Sequence, residues 1–254
     1  MPEGPEVWAL ARAVNAYFHD NNINETVFSF GKQLIFTNAK ESWSFGLNGT
    51  VTIDSYTKQI IKLNTGYVPG EVTSIVNLSM YKNSSVIDWL NATKEQLNTL
   101  VASFSKSKKM LGPLLLDLNI IVGIGVAWGS EILNKAELLP NVKAYQQDLS
   151  KLAEVMYNIG SEIRVTYGFY VLEQVDIKQF ILKWFRNLYA VRQMEVYKNG
   201  VSISVGGRNW WISNAVATVK SNAVATVKSN AVATVTAKIA TNKKDIILEE
   251  VDDL

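Results

Sequence analysis

Segments with strand-like and helix-like patterns occupy separate halves of this sequence. Between residues 25 and 80, β-branched and aromatic residues form short runs divided by Gly, Asn and Lys, which is typical of antiparallel strands. From about residue 92, apolar residues recur at helical spacing in several consecutive segments. Alternating strands and helices would indicate a parallel sheet, whereas this separation predicts an α+β fold with two domains.

Both halves divide into individual predicted elements. Residues 5–18 are expected to form a helix, because Pro5 suits its first position and apolar residues recur along one face. The expected strands are 26–36, 42–53 and 71–80, with a hairpin turn at Asn48-Gly49. The expected later helices are 94–104, 111–122, 130–140, 148–172 and 177–194, and they are followed by a hairpin over 197–213 with turns at Asn199-Gly200 and Gly206-Gly207.

The amino-acid composition restricts the available chemistry. The 254 residues include no cysteine and a single histidine, His19. A disulfide framework, a thiolate nucleophile and a cysteine-bound zinc are therefore excluded, and a Ser-His-Asp site would have to use His19. We expect no metal and no cofactor, so that any catalysis must come from carboxylates, amines, hydroxyls or the backbone.

Charge and hydropathy point to a protein that does not bind membranes. The net charge of +2 is too small to indicate a nucleic-acid partner by itself. The first residues lack the basic start of a signal peptide, and the apolar stretch 111–128 is interrupted by Pro113, Asp117 and Asn119. We expect an intracellular protein, in the cytoplasm or the nucleus.

The tail, residues 213–254, contains a tandem octad. SNAVATVK occurs at 213–220 and 221–228, and SNAVATVT follows at 229–236. These residues offer no large apolar face, and solenoid repeats usually span about 20–50 residues. A strand-like or disordered extension is expected, and an interaction tail is the alternative.

The N-terminus combines a potential nucleophile with a carboxylate. If Met1 is removed, Pro2 carries a free secondary amine, and an α-amino group with a pKa of about 8 is partly neutral near pH 7. A neutral amine can attack an aldehyde carbon and form a Schiff base, and Glu3 can serve as acid or base. The alternative is that Pro2, Glu3 and Pro5 only begin the first helix.

Five segments resemble the formamidopyrimidine-DNA glycosylase/endonuclease VIII family, in the family's own order. They are MPEGPEV at the N-terminus, FSFGKQLIF (28–36), WSFGLNGTV (43–51), LLLDLNIIVGIGVAWGSEILNKAEL (114–138) and YKNGVSISVGGRNWW (197–211). The resemblance implies an N-terminal helix with an antiparallel β-sandwich in residues 1–90 and a helical domain with a helix–two-turn–helix element in 91–190. Because the terminal hairpin at 191–212 has no cysteine, the chain resembles the zincless-finger members of that family.

The resemblance also implies an activity and its catalytic residues. The family's members are base-excision DNA glycosylases with AP lyase activity, and they act on duplex DNA that holds an oxidised base or an abasic site. Pro2 would attack C1′, Glu3 would protonate the sugar ring oxygen, and Lys32 would hold a phosphate beside the lesion. Glu6 and Glu131 are expected to support these groups structurally, and a monomer is expected.

Further residues are expected at the DNA. Arg208 would clamp a phosphate with its planar donor fork, and the amides at Gly123 and Gly125 suit phosphate binding because they open a helix. Leu47 either fills the vacated base stack or packs ordinarily. A basic patch around Lys106, Lys108 and Lys109 could add to DNA binding.

The chain also departs from the family's pattern. Val126 stands where the family's turn has Asn, Trp128 replaces Tyr, Ser130 replaces an acidic residue, and Gly112 replaces a lysine found in some members. A catalytically weak or inactive DNA-binding relative is therefore the alternative. A nucleotide-binding enzyme is a poor second alternative, because Gly123-x-Gly125 lacks the required spacing to Gly129. Oxidised pyrimidines and hydantoins are the expected substrates, and oxidised purines remain open.

Overall fold

The structure, a computed structural model, describes residues 3–24, 26–37, 42–46, 74–75, 85–182, 188 and 194–218. In the first half the elements are α1 (Gly4–Asp20), β1 (Thr26–Phe30), β2 (Gln33–Thr37), β3 (Ser42–Gly46), β4 (Ser74–Ile75) and β5 (Ile87–Asp88). In the second half they are α2 (Lys94–Phe104), α3 (Leu111–Leu115), β6 (Ile121–Val122), α4 (Val126–Lys135), a 3₁₀ turn (Ala144–Gln146), α5 (Leu152–Leu172), α6 (Ile177–Leu182), β7 (Val201–Val205) and β8 (Arg208–Ile212). This order of elements confirms the predicted α+β class.

The N-terminal half is an antiparallel sheet with helix α1 packed against it. The strand order is β1-β2-β3-β4, and every neighbouring pair is antiparallel. A two-residue turn, Gly31-Lys32, joins β1 to β2, and Gly31 has a φ of 58°, a left-handed conformation that favours glycine. The Asn15 side chain of α1 donates to the Val27 carbonyl (2.6 Å) and accepts from the Val27 N–H (2.8 Å). This pair of bonds fixes the helix on the edge of the sheet.

The predicted β-sandwich stays a prediction. Within the described part of the chain there is this one four-stranded sheet, and a sandwich requires a second one. The hairpin turn predicted at Asn48-Gly49 lies outside the described residues, as do most of the strand predicted at 71–80, most of the helix end predicted at 183–194 and the tail from residue 219. The proposed domain boundaries likewise remain predictions.

The core of the helical half is built around α5. Helices α1 and α2 both pack against it, and its buried residues include Met156, Ile163 and Tyr167. The backbone near residue 90 is attached to the same helix, because the Arg164 guanidinium donates to the Leu90 carbonyl. No helix among the described residues is both long enough and apolar enough to cross a membrane.

The helix predicted over 111–122 is wrong in its second half. Only Leu111–Leu115 is helical, and Ile121–Val122 instead forms a short parallel pair with Ile87–Asp88. The Asp117 carboxylate accepts from the Asn119 N–H (3.2 Å) and so offers the backbone an alternative to the helix before the residues that pair with β5. Helix α4 also begins at Val126, four residues before the predicted start, and ends at Lys135.

The terminal hairpin is confirmed, with a correction to its turns. Strands β7 and β8 are joined by Gly206-Gly207, whose φ values of 60° and 69° match the type I′ turn that suits a two-residue hairpin. Asn199-Gly200 lies before β7, where both N–H groups donate to the Val196 carbonyl, and is not the hairpin turn. The tail begins with a helical turn at 214–218, which differs from the predicted strand-like start of the octads.

Candidate active site

The Glu3 carboxylate lies at the N-terminus of α4. It accepts hydrogen bonds from the N–H groups of Gly125 (3.1 Å), Ala127 (3.1 Å) and Trp128 (3.0 Å), and the residue is only 7% exposed. The first N–H groups of a helix lack partners within it and carry partial positive charge. A residue 122 positions away in the chain thus caps α4 and is itself held in a defined place.

Glu6 supports this arrangement from the first turn of α1. One of its oxygens accepts the Glu3 N–H (2.9 Å) and the other accepts the Trp128 indole N–H (3.3 Å). Glu6 is fully buried, and hydrogen bonding is what makes a buried carboxylate tolerable. Glu6 therefore links the two segments that Glu3 joins.

The backbone approaches most closely at Gly4 and Gly123. The Gly4 N–H donates to the Gly123 carbonyl (2.7 Å), and a Cβ on Gly4 would lie 2.9 Å from the Gly123 Cα. Gly123 has a φ of 90°, a conformation that residues with side chains rarely adopt. Glycine at both positions allows the start of α1 to lie directly on the turn that precedes α4.

The turn that carries Lys32 packs on the other side of that segment. A Cβ on Gly31 would lie 2.7 Å from the Val122 Cβ and 3.2 Å from the Gly123 nitrogen. Lys32 is half-buried and next in the chain. Of the predicted site residues, the structure therefore brings Glu3, Gly123 and Gly125 together, with the Gly125 N–H bound by Glu3, and it places the Gly31-Lys32 turn against the same segment.

Asp88 belongs to the same region and was missed by the sequence analysis. Its carboxylate accepts from the Gly31 N–H (3.3 Å), the Leu90 N–H (3.3 Å) and the Asn91 side-chain amide (2.9 Å). Burial raises the pKa of Asp88 from 3.8 to about 6, and these hydrogen bonds oppose the rise. The available signal was a lone acid inside the apolar run Val86-Ile-Asp-Trp-Leu90.

The side of α4 holds the terminal hairpin. Glu131 accepts from three successive N–H groups, those of Glu195 (3.1 Å), Val196 (3.0 Å) and Tyr197 (2.8 Å). The Ser130 hydroxyl accepts from the Trp211 N–H (3.0 Å). One helix therefore meets Glu3 with its N-terminus and fixes the hairpin with its side.

Arg208 lies at the exposed end of this hairpin, opposite Val205 and next to the Gly206-Gly207 turn. Lys106, Lys108 and Lys109 are exposed on the connection between α2 and α3, where Lys109 pairs with Asp117 (3.2 Å). Both features lie apart from the Glu3 region.

Pro2 and Leu47 lie outside the described residues. In the described part of the chain, no cluster of three His, Asp or Glu side chains could hold a metal ion.

A cleft of about 540 Å³ adjoins the site between α4 and α5. Trp128, whose indole contacts Glu6, lines one wall together with Glu131 and Lys135. Tyr167 and Glu195 are among the other lining residues. Neither Glu3 nor Glu6 lines the cleft, and Trp128 connects it to them.

Comparison with solved structures identifies the same architecture elsewhere. No protein-family model matches the sequence, and no curated protein matches it. Wild-type Lactococcus lactis Fpg (MutM), in complex with DNA containing an oxidised pyrimidine, superposes with a TM-score of 0.53 at 14% identity, over 85% of this chain and 99% of that chain. The same glycosylase non-covalently bound to DNA with an AP site gives 0.51 at 14% identity, over 84% and 98%. At this identity the likeness establishes a shared fold.

Proposed function

We propose that the chain is a DNA glycosylase with AP lyase activity that acts on oxidised bases and abasic sites in duplex DNA. The observation that carries the proposal is the buried Glu3 carboxylate, held by three amides of α4 one residue after Pro2. The fold shared with glycosylase–DNA complexes supports it. The β7–β8 hairpin is proposed to be of the zincless type, because the chain has no cysteine.

The proposed chemistry begins at the Pro2 nitrogen. Its neutral amine attacks C1′ while the bond from C1′ to the base breaks, and the amine proton is transferred to the departing base. Glu3 in its protonated form delivers a proton to the sugar ring oxygen as the C1′–oxygen bond breaks and the ring opens. The product is an iminium ion between Pro2 and C1′. Loss of a C2′ proton then expels the 3′ phosphate, a second elimination expels the 5′ phosphate, and water hydrolyses the iminium ion to release the enzyme.

In this proposal DNA is held at a few points, because the net charge is only +2. Lys32 binds a phosphate beside the lesion, and Arg208 binds another from the hairpin with its planar donors. Leu47 fills the space in the stack after the nucleotide has flipped out, and the cleft beside Trp128 receives the base. Oxidised pyrimidines and hydantoins are the proposed substrates.

Borohydride trapping on an abasic-site oligonucleotide tests the proposal. Reduction of the imine should leave a covalent complex, and peptide mass spectrometry should find the adduct on Pro2. Pro2→Gly and Glu3→Gln should both lose base excision, whereas Glu3→Gln should keep some cleavage at preformed abasic sites. If a chain confirmed to lack Met1 gives no covalent complex, the enzymatic proposal fails.

A DNA-binding protein without catalysis is the second candidate. Val126 favours it, because this aliphatic residue begins α4 where the related turn carries Asn. Such a protein would bind abasic-site DNA in an anisotropy titration and would give no trapped complex in the same samples. A lesion panel assayed in both ways therefore separates the two candidates.

A further inference from the structure

The Asp88 side chain hydrogen-bonds its own segment to the β1–β2 turn and lies beside Gly123. Its Oδ2 accepts from the Gly31 N–H in the β1–β2 turn and from the Asn91 side chain, and its Oδ1 accepts from the Leu90 N–H. The ideal Cβ position on Gly123 lies 3.4 Å from the same Oδ1. Asp88 thus lies between the turn that carries Lys32 and the segment that leads to α4.

Even without its hydrogen bond to Asp88, the β1–β2 turn can move in few directions. It consists of two residues only, so a displacement of Gly31 moves Lys32 directly. One face of Gly31 is already in contact with Val122 and the Gly123 backbone, which prevents movement in that direction. The hydrogen bond to Asp88 restrains the turn against movement away from that segment.

We infer that Asp88 is a positioning residue for Lys32: its carboxylate anchors the Gly31 N–H and so sets where the lysine meets DNA, in a manner that depends on pH. The inference rests on the proposed function of Lys32 as a phosphate ligand. A hydrogen bond to an ionised acceptor is stronger than one to a neutral acceptor, so protonation of Asp88 loosens the turn.

The titration of Asp88 falls in a range that an assay can reach. Its pKa lies at about 6, with burial as the main cause. The charged groups on the elements around it are Lys32 in the turn, Arg164 of α5, which binds the Leu90 carbonyl, and Glu3 beyond Gly123. Among the described residues, none of the ion pairs includes Asp88.

The functional test compares wild type with Asp88→Asn, an isosteric change. Single-turnover cleavage of an abasic-site duplex is measured from pH 5 to 8. Titration of the Pro2 amine affects both proteins equally, so it cancels in the ratio of their rates. The wild-type rate should exceed the variant rate by about tenfold at pH 8, and the ratio should approach one below pH 5.5.

Asp117→Asn is the matched control. Asp117 also accepts from the backbone N–H and the side-chain amide of Asn119, two residues on, and it pairs with Lys109. The hydrogen bond from Lys109 and those from Asn119 hold the pKa of Asp117 below its usual 3.8, so Asp117 stays ionised from pH 5 to 8. The ratio of the wild-type cleavage rate to the Asp117→Asn cleavage rate should not change with pH. The inference is overturned if the ratio of the wild-type rate to the Asp88→Asn rate does not change with pH, or if it equals one at every pH.

An independent measurement separates this inference from the proposed function. Hydrogen exchange of the Gly31 amide, followed by NMR on the full chain, should give a protection factor that falls at least fivefold between pH 7.5 and 5 in wild type and stays constant in Asp88→Asn. If wild type gives no trapped complex, the proposed function fails, and the Gly31 protection factor alone decides whether Asp88 anchors the turn. Equal protection at both pH values refutes the anchor.

Discussion

Gly125→Ala should remove the Glu3 carboxylate from its place without straining the backbone. A Cβ on Gly125 would lie 2.2 Å from the Glu3 Oε1 and 2.3 Å from its Cδ, distances at which atoms cannot coexist. The backbone of Gly125 is extended, with φ −120° and ψ −174°, which any residue adopts. The large effect expected of the added methyl group must therefore come from the collision with Glu3, since Gly→Ala otherwise changes stability by only about 1 kcal/mol.

The magnitude follows from the hydrogen bonds that Glu3 would lose. A hydrogen bond to a charged group contributes about 1.5–3 kcal/mol, and a displaced carboxylate should lose at least two of its three amide donors. The free energy of unfolding should fall by about 3–6 kcal/mol, a large fraction of the about 5–15 kcal/mol typical of a native protein. Borohydride trapping should be abolished as well.

Urea denaturation of four proteins tests this reasoning: wild type, Gly125→Ala, Glu3→Ala and the double variant. If the collision is with Glu3, Gly125→Ala should lower the free energy of unfolding far less in the Glu3→Ala protein than in wild type. The difference between the two losses, the coupling energy, should exceed about 2 kcal/mol. Gly168→Ala is the matched control, because its Cβ would meet only the Trp8 ring at 3.8 Å and helix propensity favours alanine by about 1 kcal/mol. A coupling energy near zero would refute the proposed role of Gly125.

Three further predictions concern Asp88, Glu131 and Arg208. The raised pKa of Asp88, about 6 instead of 3.8, makes the native state favour the neutral acid. Wild-type stability relative to Asp88→Asn should thus be greatest below pH 4 and fall by about 3 kcal/mol as the pH rises through 6 in urea titrations. Glu131→Ala should lower the free energy of unfolding, measured by urea denaturation, by about 3–5 kcal/mol, because three N–H groups lose their acceptor. The control Glu154→Ala removes an exposed ion pair and should lower it by less than about 1 kcal/mol. Similar losses in the two variants would contradict the role of Glu131 in holding the hairpin. Arg208→Ala should weaken anisotropy-measured binding equally for all DNA sequences and reduce the salt slope by about one, and a sequence-dependent loss would argue against a phosphate contact.

Local sequence patterns predicted the elements whose cause is local. Helix α1 and the Gly206-Gly207 turn depend on helical periodicity and on glycine at positive φ, both of which adjacent residues supply. Residues 26–36, expected as a single strand run, instead form two strands joined at Gly31-Lys32. The helix predicted at 111–122 was wrong beyond Leu115, because the apolar period continues through residues that pair with β5. Periodicity reports which residues are buried, and a buried strand and a buried helix segment share that signal.

The candidate site was predictable only in part. Glu3, Gly123, Gly125 and Lys32 were all named from the sequence, and the structure joins Glu3 to Gly125 and packs the Gly31-Lys32 turn against Gly123. Asp88 was not found, because the burial that raises its pKa and its bond to Gly31, 57 positions away, both depend on the tertiary structure. A single acid in an apolar run does not reveal which distant donor it will meet.

By itself, the sequence determined the α+β class, the exclusion of cysteine chemistry and the identity of the groups that could react. Those properties depend on residue type and on spacing between neighbours. Only the tertiary structure decided that Glu3 caps α4, that Asp88 holds the Lys32 turn and that Glu131 fixes the hairpin. Each of these is a hydrogen bond between distant segments, whose geometry exists only after the core around α5 has brought those segments together.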